Sequence, residues 1–483
     1  MAVQRFPLAG SLTEREPGDA SDPRLLNCFQ ETIHEGVDEN GKPKPVQYVT
    51  KRPGLSETYD NSAATTDTGR GIFNWNGTVY SVIGDEVFKG TSDIGQLITS
   101  SGRCYFDQAF DGSGLLVMHD GTNLYTINTS DTIAAYNSDG SNGATDVEAL
   151  PSAFLPGIVV LDQYCFVADS QGNIHNSNVG DVTAWSGDSI NMEMQSDQGK
   201  GITRYINYLV GFGDKTVELF FNAANTNGSP MDRFEGMASL IGCADGKTIA
   251  NVDQSLVFVA RSPKGGRFVA AMEGGFEAKR ISTNAIDEIL DKEGSNISNA
   301  FAFPMRVAGK NLYVLTLPTT ANRTFVADLD EKKWYQYSTG SSGAAWAVMD
   351  SAELNGDQLL LGTSSGKVYT HDAEVYQDDG ATIFTEIRTR KFDFGTMQNK
   401  FLYRLQPIGD LNSSSGTINI AWSDDDYQSW STNRTVDLDN HQSWLTRLGM
   451  FKRRAFRIQH QQNLPMRLSH LEGNGRTGHY AKS

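Results

Sequence analysis

The residues best suited to chemistry sit in one octapeptide, Ser423–Trp430 (SDDDYQSW). Ser423, Asp425 and Trp430 match the Asp box, S-x-D-x-G-x-x-W, with Tyr427 in the glycine position. An Asp box is a turn device: its carboxylate and hydroxyl satisfy backbone groups while the Trp packs beneath. Hydrolysis of a carboxylate-bearing sugar would also need an arginine cluster to hold that carboxylate. Asp424–Asp426 have the charge for calcium, but the loop lacks a glycine at its sixth position and has Thr435 at its twelfth. Gly362–Lys367 (GTSSGK) is one residue short of a phosphate loop and leads into a strand pattern rather than a helix. Gly187-Asp188-Ser189 resembles an esterase nucleophile, yet no partner histidine or oxyanion element accompanies it. The eight histidines form no HExxH pattern. Cys28, Cys104, Cys165 and Cys243 are widely spaced with no CxxC, which predicts buried free thiols. The expectation is a chain with no catalytic residue, cofactor or metal site.

A different chemistry is concentrated in Arg447–Arg457 (RLGMFKRRAFR). Arg447, Lys452, Arg453, Arg454 and Arg457 crowd a stretch that runs into a predicted strand, Ala455–His460. With Phe456 and Ile458 facing a core, Arg457 and Gln459 face outward. The readings open for it are a solvated face, contact with DNA phosphate, or an interface with an acidic protein; the last is expected for Arg453, Arg454 and Arg457. The net charge of −17 is asymmetric. Residues 381–483 carry 14 Lys/Arg against 9 Asp/Glu, and residues 1–380 carry 27 against 49. An acidic body joined to a basic end suggests two different neighbours.

The elements that must position these residues are strands. In Ile206–Phe221 (INYLVGFGDKTVELFF), two apolar runs flank Gly213-Asp214-Lys215-Thr216, a hairpin with turn chemistry between. Val217 and Leu219 alternate with Glu218, which predicts that the first two share a buried face. A lone hairpin cannot bury its face. Similar units recur around Gly77, Gly121, Asp162, Asp253, Gly309 and Gly356, at intervals of roughly 41 to 56 residues. That is the period of propeller blades, with six or seven of them predicted over 71–380. Residues 1–70 are expected to be a strap closing or flanking the ring. Asn137–Thr145 reads as a mobile loop or an interrupted blade, and Thr283–Gly294 as a short helix. From Ala381 to Ser483 the strands lengthen, which predicts a basic β-sandwich domain with a flexible tail. The fold class is therefore all-β. No segment reads as a signal peptide or a membrane span.

The blocks flanking the hairpin carry a family resemblance. Trp185, Met194–Ile202 (MQSDQGKGI), Thr216–Phe221 (TVELFF), Asp232–Ala260 and Arg280–Leu290 (RISTNAIDEIL) follow in an order similar to the packaged-DNA stabilisation family. These are the tail hub or nozzle proteins of short-tailed bacteriophages. The agreement spans about Asn27 to Leu471 and includes the Pro53-Gly54-Leu55 tripeptide and a terminal Leu-Gly-x-Phe-basic strand. The resemblance implies a structural virion protein, assembled in the host bacterial cytoplasm as a homo-hexameric ring below the portal and its adaptor. It further implies a tail needle or plug, tail fibre or spike proteins, and double-stranded DNA passing without sequence specificity. No small-molecule substrate is implied. The rival readings are a propeller glycosidase or sialidase, which needs arginines and paired carboxylates at the axis, and a carbohydrate-binding adhesin.

Overall fold

The computed structural model describes residues 2–8, 24–37, 43–62, 66–109, 114–195, 197–236, 239–411, 415–440 and 442–478. The predicted flexible tail beyond 478 and residues 38–42 of the expected strap lie outside the described residues.

The hairpin at 206–221 shows how a blade is made. Strands Gly199–Tyr205, Tyr208–Gly213, Val217–Asn222 and Met231–Arg233 form one antiparallel sheet, with Val210 opposite Leu219. The turn is braced by a residue outside it. Asp197 reaches in from outside the hairpin and accepts from the backbone N–H of Lys215 and Thr216 and from the Thr216 hydroxyl. A Cβ on Gly213 would collide with that carboxylate. Val217 and Leu219 are buried as predicted, but Glu218 on the other face is buried too. It accepts from Arg233 Nε at 2.7 Å and from the Met194 backbone N–H at 3.1 Å. Both faces of a blade are covered by neighbouring blades, so the alternation that implied an outward Glu218 needed a charged partner instead.

Six such sheets are drawn from continuous chain, at 69–96, 105–146, 159–191, 199–233, 242–280 and 301–337, and are called blades 1 to 6 below. The segment 137–145 is the outer edge of blade 2, a strand end, one 3₁₀ turn and a two-residue parallel strand. A further blade is composite. Strands Val348–Leu354, Asp357–Gly362 and Lys367–Asp372 are completed by Gly54–Asp60 from the other end of the chain. The sequence left six and seven blades open because one of the seven hairpin units could have been an interblade element.

Between blades the cores are apolar. Trp75, Tyr80 and Val82 of blade 1 pack on Leu116, Met118 and Tyr125 of blade 2. On blade 1's other side, Ile72 and Val79 pack on Leu359, Leu361 and Val368 of the closing blade. The helix Asn284–Lys292 buries Ile286, Ile289 and Leu290 in the core shared by blades 5 and 6.

The chain after 381 does not build its sheets alone. One sheet orders Cys28–Val37, Pro43–Lys51, Arg467–Thr477 and Lys400–Gly409, with Ala2–Pro7 and two short strands at 445–446 and 450–451 added. The other extends blade 6 outward through Arg24–Leu26, Thr385–Arg388, Ala455–His460, Thr417–Ser423 and Arg434–Asp437. Both fill one core, in which Phe6 meets Phe456 edge-on at 5.0 Å and which continues between blade 6 and the closing blade.

Candidate functional site

Among the described residues, charged side chains gather at the propeller axis, on the outer face of the C-terminal body and at the ring closure. At the axis, Arg103 lies just before the inner strand of blade 2 and reaches across the ring. Its guanidinium donates to Asp350 of the closing blade at 2.9 Å and to the Ala302 carbonyl of blade 6 at 3.0 Å. A third, longer bond goes to the Lys247 carbonyl of blade 5. Tyr105 lies beneath it, 5.8 Å from ring centre to guanidinium. Burial raises the carboxyls of Asp350 and Asp245, and pushes Asp107 up to about 6. Raised carboxyls around an arginine are what a glycosidase would need. Here, however, the arginine is spent on its own chain, and Asp107 accepts from the Val160 and Gln108 backbone N–H groups. The arrangement bridges the axis.

The motif residues read as turn features occupy strands and turns. Ser423 and Asp425 close a turn with Ser429, and these hydrogen bonds pull the Asp425 carboxyl down to about 2. Gly187-Asp188-Ser189 lies inside the strand Asp181–Asn191, and Gly362–Lys367 connects two antiparallel strands. The four cysteines are free and buried, with burial pushing Cys104 and Cys243 up to about 12.

The basic segment divides into two groups. Ala455–His460 pairs antiparallel with Thr417–Ser423, Ser423 opposite Ala455, so the loops just beyond that pair are neighbours. Arg454 is 1% exposed and holds Asp424 through two bonds of 2.7 Å. It also donates to the Leu448 carbonyl and stacks on Phe451 at 4.3 Å. Arg453 pairs with Asp426 at 2.8 Å, and Arg457 lies over Trp430 and donates to Asn433. These three arginines, expected to meet another protein, are engaged within their own chain. Their partners Asp424 and Asp426 are the residues that sequence reasoning missed, having been weighed only for calcium; an Asp run and an Arg run flanking two predicted strands was the available signal. Arg447 and Lys452 are exposed, and neither forms an ion pair with a described residue.

The model of the family described as Bacteriophage P22 Gp10, beta-propeller, matches residues 41–375, more than half of the chain. The chain belongs to this family of packaged-DNA stabilisation proteins. It is thus a phage structural protein, a virion component built on a β-propeller. The match is narrower than the resemblance read from about Asn27 to Leu471: it ends just beyond the closing blade, and the strands of the C-terminal body after 375 lie outside it. No curated protein matches the chain significantly. Among solved structures, a streptogramin B lyase is similar at 10% identity and TM-score 0.41, over 66% of this chain and 97% of the lyase. The virginiamycin B lyase from Staphylococcus aureus gives 13% and 0.42, over 65% and 98%. The WD40 propeller domain of Doa1 gives 11% and 0.38, over 67% and 98%. With TM-scores this low, none bears on the activity of this chain.

Within the family match, the Pro53-Gly54-Leu55 tripeptide begins the closing strand. The segment Gln377–Asp378 crosses so close to Gly54 that any Cβ there would strike the Gln377 backbone. The crossing brings Asp378 to Arg52, which is fully buried and donates to both carboxylate oxygens and to Asn27. Beside it Lys51 is buried against His460, Nζ to Nδ1 3.4 Å. Burial, with Arg52 adjacent, lowers the Lys51 ammonium to about 7; burial and the Lys51 charge lower His460 to about 3. The ring closure and the C-terminal body share one buried charged junction.

Proposed function

We propose that this chain is a non-enzymatic subunit of a short phage tail, the hub or nozzle, which retains packaged DNA and conducts it on ejection. The observation that carries this reading is the bridged axis. Arg103 ties blade 2 to blades 5 and 6 and to the closing blade, so a duplex has no path through one subunit. A member of a DNA-stabilising family whose own channel is blocked must form its conduit between subunits, and a closed ring does so. Closed sheets with few free edges supply the stiffness such a wall needs.

On this reading six copies surround the lumen, assembled on the adaptor below the portal, with a needle or plug closing the far end and fibres or spikes attached outside. Acidic or neutral propeller surface lines most of the lumen. Each phosphate neutralised by a cationic wall strengthens binding, with a slope near −0.9 in log–log salt dependence, and retards release. The body that residues after 381 build together with the strands at 2–7, 24–37 and 43–51 anchors the ring.

The test is electron microscopy of the purified subunit alone and mixed with its adaptor ring. Rings with a DNA-wide lumen that appear on the adaptor are expected. Monomers that never join the adaptor, or cleavage of a fluorogenic glycoside, would sink the reading.

A further inference from the structure

The charge of this molecule is more polarised in space than the sequence halves suggest. Blades 1 to 3, residues 69–191, contain 14 Asp/Glu and only three cations, Arg70, Lys89 and Arg103. Arg70 is buried on backbone carbonyls, Arg103 bridges the axis, and Lys89 is paired with Asp131. Asp93, Asp139, Asp146, Glu148 and Asp181, by contrast, are exposed on or beside the outermost strands of these blades. None of the five pairs with a described cation. This rim is an anionic surface without counter-charge of its own.

The C-terminal body presents the opposite surface. Of the ten exposed large apolar side chains among the described residues, six lie between 394 and 450. A bulge between Leu402 and Arg404 turns two consecutive side chains, Tyr403 and Arg404, to solvent. Met450 stands opposite Phe401 on the adjoining strand, and Trp444 stacks under Arg404 at 4.0 Å. Tyr403, Trp444 and Met450 are 40%, 38% and 52% exposed. The cations of this face, Arg404, Arg447, Lys452 and Arg476, are exposed and make no ion pair with a described residue, while Asp393 is an exposed acid nearby. Aromatic, Met and Arg side chains together are the composition of an interface centre.

We infer that this basic aromatic face docks on the acidic rim of blades 1–3 of a second copy of the same chain. The inference deepens the ring reading above and rests on it. The two surfaces differ and are complementary in charge, so the contact is head-to-tail, the type that closes into rings rather than two-fold dimers. The rim lies around the ring from blade 6, to which the body is hydrogen-bonded through Arg24–Leu26. One subunit can therefore engage two neighbours at once. Opposed charge patches also accelerate encounter and make it sensitive to salt.

Two charge-reversed variants of the full chain test this: a face variant (R447E, K452E, R476E) and a rim variant (D139K, D146K, E148K). All six sites are exposed, and circular dichroism checks folding. Sedimentation velocity across a concentration series at low salt should show wild-type association that weakens with added salt. Each variant alone should associate at least about tenfold more weakly, since like charges then face each other. Mixing the two should restore association, because face and rim are again opposite in sign at both contacts. Unchanged association in either variant, no rescue on mixing, or no wild-type association at any concentration overturns the contact. Open chains instead of closed rings would keep the contact and sink the ring reading. Tight wild-type binding of duplex DNA that only the face variant loses, with self-association intact, would make the face a nucleic-acid surface and overturn the proposal.

Discussion

Blade 4 and the closing blade have similar antiparallel pairing and opposite origins. Blade 4 runs from 199 to 233 without interruption, each strand following its partner. The closing blade joins 348–372 to 54–60, and its closure is secured by the Arg52–Asp378 pair rather than by a turn. Local pairing rests on apolar area and on the Glu218–Arg233 pair between sequence neighbours; distant pairing is locked by a buried contact between residues far apart in the chain. Stability in this molecule should therefore fail in different ways in the two blades.

The largest expected effect is at the closing blade. Arg52→Ala leaves Asp378 without its partner and removes a fully buried cation, and breaking such pairs costs roughly 3–5 kcal/mol. Urea unfolding should show that loss, with amide exchange rising first in Gly54–Asp60 and Lys367–Asp372. Exchange that rises equally in blade 4 would erase the contrast. Next comes Leu219→Ala in blade 4, expected to cost about 2–5 kcal/mol as a cavity in a packed core. A loss below about 0.5 kcal/mol would mean that blade 4 is not held by its apolar layer.

A pH titration sharpens the comparison further. His119 in blade 2 and His371 in the closing blade are lowered to about 4, and His460 in the body to about 3, in each case first by burial. The unfolded chain has the ordinary value of about 6.5, so it binds the extra protons. Stability is fully present above pH 6.5 and is lost as pH falls through 4 toward 3. Lys51, lowered to about 7, adds stability as pH rises from 7 toward 10.5. His460→Gln should flatten the acid limb of the Tm profile and spare the blade 2 contribution. The smallest effect belongs to Arg453→Glu. Its pair with Asp426 is about half exposed, and such surface pairs are worth roughly 0–1 kcal/mol. A loss above 2 kcal/mol by chemical denaturation would show that the Asp424–Asp426 loop is a structural clamp.

The same contrast separates what was legible in the sequence from what was not. Each hairpin unit marked one blade, and the helix start at Thr283 was readable, because those signals are carried by neighbouring residues. A period of two tells which face of a strand is buried but not which distant strand lies beside it. Hence the partner of Gly54–Asp60 was hidden, as was the placement of Ala2–Pro7, Arg24–Leu26 and Pro43–Lys51 among C-terminal strands. The same blindness hid Asp424 behind Arg454 and Glu218 behind Arg233. Charge runs announced a surface; the fold turned part of each into internal pairs.

The shared closing blade also sets a clock. The strand Gly54–Asp60 leaves the ribosome long before its partner Lys367–Asp372 is made. At ~5–20 residues per second, the roughly 300 intervening residues take about 15–60 s. During that interval the earlier blades can form while the early strand remains unpaired. Where nascent chains are crowded on one message, that strand can meet the finished 348–372 sheet of an older copy before its own appears. Two subunits would then exchange strands with no change in sequence or contacts.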